Sequence, residues 1–110
     1  MSSVPARSYS PAAVDALRVM GSFIQLRRKE YGLTVQKLAD KAGVSRGLVH
    51  RIERGDPKCE IGVVFEIAVL MEIPLFIDES QLPILRANFE ARLAVLPKRI
   101  KPKLEVSNDF

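Results

Sequence analysis

The sequence is poor in the residues that build most enzyme and metal sites, with one cysteine and one histidine among 110 residues. Cys59 has no second cysteine to pair with, which fits a reducing cytoplasm and makes it a small loop or core residue. His50 has no neighbouring ligands, and neither a glycine-rich phosphate loop nor a metal-ligand spacing occurs. The sequence therefore predicts a protein that is not an enzyme and that carries no metal or cofactor.

Long apolar runs are also missing. No stretch approaches the roughly 20 apolar residues that cross a membrane, and serines and prolines interrupt any signal-like pattern at the N-terminus. We therefore expect a cytoplasmic protein with no membrane partner. Because 47% of the residues are apolar, one modest core can form. We expect a mobile lead-in at residues 1–10, one domain at 11–96, and a tail at 97–110 that is either disordered or a short strand formed with a partner.

Positive charge is concentrated in the first half of the chain. Residues 1–59 hold eleven Lys and Arg against five Asp and Glu, whereas residues 60–96 hold two against six. Residues 97–110 are basic again, with four against two. A basic half of this kind fits a polyanionic partner such as nucleic acid, although many basic faces are only solvated surface.

The stretch from Leu33 to Gly55 reads as two short helices joined by a tight turn. Thr34 and Ser45 are good N-caps, and Gly43 ends the first helix because glycine accepts the left-handed conformation needed there. The apolar positions with helical spacing are Val35, Leu38, Ala39 and Ala42 in the first helix, and Leu48, Val49 and Ile52 in the second. The other faces of the second helix carry Arg46, Gly47, His50, Arg51 and Arg54. This is the layout of a helix-turn-helix with a basic outer face.

A long helix is predicted before this pair. Ser10 and Pro11 suit its N-cap and first position, and it runs to about Tyr31 and ends at Gly32. Gly21 permits a close contact with another helix. Its buried side is expected to hold Val14, Leu17, Met20, Ile24 and Arg28 to Tyr31.

Two further helices are predicted after a break at Asp56-Pro57. The fourth runs from about Glu60 until Pro74 ends it, and a strand is the local alternative because the segment contains several β-branched residues. Its expected inward residues are Ile61, Val64, Phe65, Ala68, Leu70 and Met71. The fifth starts near Gln81 or Leu82 and ends at Pro97, with an apolar seam at Leu82, Leu85, Phe89, Leu93 and Leu96. The seam packs on its own domain, at a subunit interface, or both.

The stretch from Arg28 to Gly55 closely resembles the DNA-binding domain of Xre/Cro–CI repressors. The resemblance rests on Arg28 with Gly32-Leu33-Thr34, on Leu38-Ala39, on Gly43-Val44-Ser45 and on Ile52-Glu53-Arg54-Gly55. With the flanking helices it covers about residues 14–75. It implies an all-α fold, a compact five-helix lambda-repressor-like bundle that binds a double-stranded operator as a dimer.

The resemblance also implies roles for individual residues. Arg28 and Glu53 would form a structural ion pair. The positions that contact bases map to Arg46, Gly47, His50 and Arg51, and arginine suits bidentate contact with guanine. Phosphate contacts are expected from Thr34, Val35, Gln36, Lys37, Lys41, Ser45, Arg54 and Lys58. The sequence departs from the family twice: Val35 replaces the usual glutamine after the N-cap, so the usual phosphate clamp is missing, and Gly47 lacks a reading side chain.

The chain after this domain is similar to that of HipB-type antitoxins. The similarity comprises the acidic connector, one helix, Leu96-Pro97-Lys98-Arg99-Ile100 and the closing Asn108-Asp109-Phe110. It implies a homodimer that represses its own operon and has a HipA-type kinase toxin as partner. When bound to DNA, such a protein would be associated with the nucleoid. Two alternatives stay open: an inhibitor of a partner toxin with weak DNA reading, and a stand-alone repressor of the phage or restriction-controller type.

Overall fold

The computed structural model describes residues 8–100 and 102. Over those residues it contains no β-strand and five α-helices: α1 (Pro11–Glu30), α2 (Val35–Ala42), α3 (Arg46–Glu53), α4 (Ile61–Leu70) and α5 (Leu82–Ala94). A short 3-10 helix, Glu79–Gln81, precedes α5. The predicted all-α class is confirmed. The expectations of a mobile lead-in and of a disordered or strand-forming tail concern mainly residues 1–7, 101 and 103–110, which lie outside the described residues.

The first three helices begin where side-chain caps place them. The hydroxyl of Ser10 accepts the N–H of Ala13 at 3.2 Å. The hydroxyls of Thr34 and Ser45 accept the N–H groups of Lys37 and Leu48 at 3.0 and 3.1 Å. Each contact satisfies one of the N–H groups that the first turn of a helix leaves without a partner. All three predicted caps are confirmed.

The turn between α2 and α3 depends on Gly43, which has a φ of 69°. The N–H of Val44 donates to the carbonyl of Ala39 at 3.0 Å, and that of Gly43 to Asp40 at 3.3 Å, which together form a Schellman motif. The same pair of hydrogen bonds follows α1 and α3, with glycine again at the left-handed position. The chain therefore reverses within a few residues and brings α3 against α2.

Helix α4 ends in the same motif without a glycine. The N–H of Ile73 donates to Ala68 at 2.9 Å and that of Glu72 to Val69 at 3.0 Å, with Glu72 at a φ of 58°. The prediction that Pro74 ends this helix is wrong, since the helix has already ended at Leu70.

Helices α1 to α4, with the chain to Phe76, constitute one compact unit. Its buried apolar core comprises Ile24, Leu38, Ala39, Val49, Ile52, Ile67, Ala68, Met71 and Ile73. The expectation that Ile61 faces inward is wrong, because this side chain is 68% exposed at the first position of α4. The inward face of that helix begins later, and Ile67 and Ala68 carry it.

Helices α1 and α3 approach each other at Gly21, as predicted. A Cβ atom at this position would lie 2.5 Å from the carbonyl oxygen of Ile52 and 2.6 Å from that of Glu53. Only a residue without a side chain fits there. The contact fixes the C-terminal end of α3 against the middle of α1. The expectation that the buried side of α1 extends to Tyr31 is wrong, because Lys29, Glu30 and Tyr31 are exposed.

The described chain from Ile77 onwards forms a second unit. Asp78 caps its 3-10 helix by accepting the N–H of Ser80 at 3.2 Å and, through the same oxygen, the Ser80 hydroxyl. The prediction that Pro97 ends α5 is wrong, since the helix has already ended at Ala94. Helix α5 has no buried residue. In the predicted seam, Leu82 and Leu85 are half-buried, and Phe89, Leu93 and Leu96 are exposed. None of the described helices is both long enough and apolar enough to span a membrane.

Candidate nucleic-acid interface

Helix α3 presents a basic face to solvent. The predicted base-reading residues Arg46, Gly47, His50 and Arg51 are all exposed, as is the following Arg54. The opposite face holds the buried residues Val49, Ile52 and Glu53. The helical repeat separates the two faces, so burying the apolar positions necessarily turns the cationic ones outward.

The N-terminal turn of α2 is the second part of the predicted site. Its first backbone hydrogen bond joins the N–H of Leu38 to the carbonyl of Thr34 at 3.0 Å. The N–H groups of Val35 and Gln36 precede that bond and are the donors that a helix N-terminus can offer to an anion. The Val35 side chain is half-buried against the core, so only its backbone is available to a ligand. The amide of Gln36 donates to the Asp40 carboxylate at 2.9 Å.

The other residues predicted to contact phosphate are exposed. Lys37 and Lys41 lie on α2, and Lys58 lies in the loop after α3. The backbone N–H of Lys58 donates to the Asp56 carboxylate at 2.8 Å, which orders that loop. The hydroxyls of Thr34 and Ser45 already accept a backbone N–H, as caps.

Behind the basic face, Arg28 of α1 and Glu53 of α3 form a buried ion pair. Arg28 is 7% exposed and Glu53 is 9% exposed. The guanidinium binds in bidentate fashion, with Nε 2.7 Å from Oε2 and Nη2 3.1 Å from Oε1. Its Nη1 also donates to the carbonyl of Leu33 at 2.9 Å. One side chain thereby links α1, the entry to α2 and the end of α3.

A second contact, which sequence reasoning missed, joins the ends of α1 and α4. The hydroxyl of Tyr31 donates to Glu72 at 2.5 Å, and Arg27 donates to the carbonyl of Met71 at 3.3 Å. The hydrogen bond to Glu72 raises the pKa of Tyr31 above its usual 10.0, and partial burial adds to the shift. The sequence carried no signal for this contact, because no local pattern predicts the left-handed backbone of Glu72.

Cys59 shows no sign of a reactive or metal-binding role. It is half-buried, and burial raises the pKa of its thiol, with the negative charge of Asp56 adding to the shift. A thiol held in its protonated form is a poor nucleophile and a poor ligand. The described part of the chain contains no group of three or more His, Cys, Asp or Glu residues that could hold a metal ion.

Two capped helices, a glycine turn and an exposed cationic face on the second helix define a helix-turn-helix domain. Residues 24–76 match the helix-turn-helix family model HTH_3, which is of the Xre/Cro–CI type. The match begins in the second half of α1 and includes α2, the turn, α3 and α4. It indicates a DNA-binding transcription regulator. No curated protein matches the chain.

Proposed function

We propose that the protein is a sequence-specific transcriptional repressor that binds double-stranded operator DNA as a homodimer. The observation that carries the proposal is the basic face of α3. That helix is held rigidly from behind, by the Arg28–Glu53 ion pair and by the close contact at Gly21. A rigid helix with exposed cations suits the major groove, whose width admits one α-helix.

The long side chains of α3 would read the bases. Arg46 and Arg51 are exposed, and a guanidinium pairs with O6 and N7 of guanine. His50 lies one turn after Arg46 and can donate to the same base acceptors. Each good bidentate contact discriminates against the wrong base by roughly 1–3 kcal/mol.

Phosphate contacts would set the position of the domain on the duplex. The backbone N–H groups of Val35 and Gln36 point out of the first turn of α2, where the helix dipole favours an anion. The cations available alongside are Lys37, Lys41, Arg54 and Lys58, and the hydroxyls of Thr34 and Ser45 supply further polar contacts. The half-buried side chain of Val35 leaves phosphate binding to backbone and cations.

Homodimerisation is proposed through α5. The exposed apolar residues of the predicted seam are Phe89 and Leu93 on α5 and Leu96 just after its end. Two copies joined there would present two α3 helices to half-sites ~34–36 Å apart, one turn of the duplex. Burying these side chains in a dimer removes apolar area from water, at roughly 25 cal/mol per Å².

The finer biological role that we propose is that of an antitoxin of the HipB type. It would repress its own operon and bind a HipA-like kinase toxin. The support is the similarity of the chain after Pro74 to those antitoxins. The role is one of binding rather than catalysis, in keeping with a family that is typically non-enzymatic.

A gel-shift titration tests DNA reading directly. The probe is a fluorescein-labelled duplex of the region upstream of the protein's own operon, with a scrambled duplex as competitor. Arg46→Ala and Arg51→Ala should each weaken specific binding roughly 5- to 150-fold, the equivalent of one lost base contact. Lys29→Ala, which removes an exposed cation from α1, serves as the matched control and should bind as the wild type does. Unchanged binding by the double variant of Arg46 and Arg51 would overturn the base-reading assignment.

Co-purification with the product of the neighbouring gene tests the antitoxin role. A HipA-like kinase that stays bound through high salt supports it. A protein that represses its operon and retains no such partner is a stand-alone regulator.

A further inference from the structure

Four of the six glycines are required by the fold. A Cβ at Gly21 would collide with the backbone of α3, and the glycines at 32, 43 and 55 have a positive φ. Gly47 and Gly62 meet neither condition. A Cβ at either of them would meet nothing within 4 Å outside its own stretch of helix. Both are exposed, and each is the second residue of its helix, α3 and α4 respectively.

An exposed glycine in a helix lowers stability, because it loses more backbone entropy on folding than alanine does. At Gly47 neither packing nor backbone conformation offsets that cost. Its surroundings differ from those of Gly62, however, since Arg46 precedes it and both His50 and Arg51 are exposed. Residues three and four apart are neighbours on a helix surface, so His50 and Arg51 stand beside the absent side chain. The basic face of α3 therefore has a notch at Gly47, bordered by long polar side chains.

The notch lies where a helix-turn-helix meets base edges, in the first turn of its second helix. Gly47 adds no polar side chain to the notch, so an apolar group can sit beside its Cα, while its backbone N–H, in the first turn of α3, stays free for a separate acceptor. The major groove offers one such group, the C5-methyl of thymine. We propose that Gly47 determines specificity by seating a thymine methyl, which brings the α3 backbone closer to the bases than a side chain would allow. The proposal rests on the DNA-binding function proposed above.

The test begins with Gly47→Ala and its matched control, Gly62→Ala. Because both glycines lie in open space at the same helix position, both variants should raise Tm, by about 2–5 °C. The DNA probe is a fluorescein-labelled duplex that the wild-type protein selects from a random-sequence pool, with a scrambled duplex for comparison. Gly47→Ala should bind the selected duplex at least about tenfold more weakly and the scrambled duplex almost unchanged. Gly62→Ala should match the wild type on both.

Uracil substitution then identifies the group in the notch. Uracil differs from thymine only in lacking the methyl, so each thymine of the selected duplex is replaced in turn. Wild-type binding should fall roughly fourfold at one thymine in each half-site, the effect of losing one buried methyl. The same replacement should leave Gly47→Ala binding unchanged, because that variant no longer seats the methyl.

The outcomes separate the two proposals. A wild-type protein that binds the selected and scrambled duplexes equally overturns the proposed function, and the Gly47 proposal with it. A wild type that discriminates, with a Gly47→Ala variant that binds as tightly or more tightly, overturns the Gly47 proposal alone. Uracil effects of equal size in the wild type and in Gly47→Ala also overturn it, since the methyl would then lie elsewhere.

Discussion

The buried ion pair of Arg28 and Glu53 determines how firmly α3 is held. Two charges have left water, and their bidentate geometry compensates for the lost hydration. Arg28→Met or Glu53→Leu alone leaves one buried charge without its partner. We expect each single variant to lower the free energy of unfolding by roughly 3–5 kcal/mol, measured by urea denaturation.

The double variant Arg28→Met/Glu53→Leu completes a double-mutant cycle with the two single variants. It removes both charges and keeps apolar volume in their place, so it should be more stable than either single variant. Losses in the double variant that equal the sum of the two single losses would show that the pair is not coupled.

Gly21 is the second residue whose replacement has a clear expected sign. A methyl group there would lie 2.5 Å from a carbonyl oxygen of α3, so the two helices would have to separate. Gly21→Ala should lower the free energy of unfolding by about 1–3 kcal/mol in urea denaturation, the usual cost of overpacking. Gly62→Ala, which adds the same methyl in open space, should not be destabilised. Equal stability of the two variants would contradict the close contact.

At the scale of the helices, the end of α4 depends on Glu72. Its left-handed backbone is costly for a residue with a side chain, and the hydrogen bond from Tyr31 accompanies that conformation. The raised pKa of Tyr31 means that the folded state retains the phenolic proton more tightly than the unfolded state does. This stabilising contribution is complete below the unfolded pKa, near 10.0, and is lost as the pH rises through the folded pKa.

Tyr31→Phe should therefore remove part of the alkaline loss of stability. Urea denaturation between pH 9 and pH 11, on the wild type and the variant, measures the difference in slope, and ~pH 10 is where the two should diverge. Tyr9→Phe, the same replacement at another exposed tyrosine, is the matched control. Parallel pH profiles for wild type and Tyr31→Phe would contradict the hydrogen bond to Glu72.

The helix boundaries show what the sequence could and could not predict. Thr34, Ser45 and Gly43 act through their own side chain or their own lack of one, so local rules located α2, the turn and α3. The end of α4 has no such residue, because a glutamate occupies the position that glycine takes after the other helices. The basic face followed from helical spacing alone. The open space at Gly47 did not, since it depends on what the rest of the fold leaves unoccupied.

At the scale of the whole molecule, the salt dependence of DNA binding reports both the charged contacts and the number of protomers bound. Each phosphate contact releases counterions and contributes about −0.9 to the slope of log K against log salt concentration. Lys41 is exposed near the end of α2 and is a proposed phosphate contact. Replacing it by glutamine should weaken binding to the selected and scrambled duplexes alike, because phosphates carry no base sequence.

The change in the salt slope depends on how many protomers contact the DNA, so Lys41→Gln also tests the homodimer. A dimer that places both copies on DNA loses two phosphate contacts, so the slope should become less steep by about 1.8, against about 0.9 for a monomer. Fluorescence anisotropy titrations over a range of salt concentrations give the slope. Arg86→Gln, on the exposed surface of α5, is the control and should leave it unchanged. Phe89→Glu, which puts a charge in the apolar seam, should disrupt the dimer, and in that background Lys41→Gln should change the slope by the single-protomer amount.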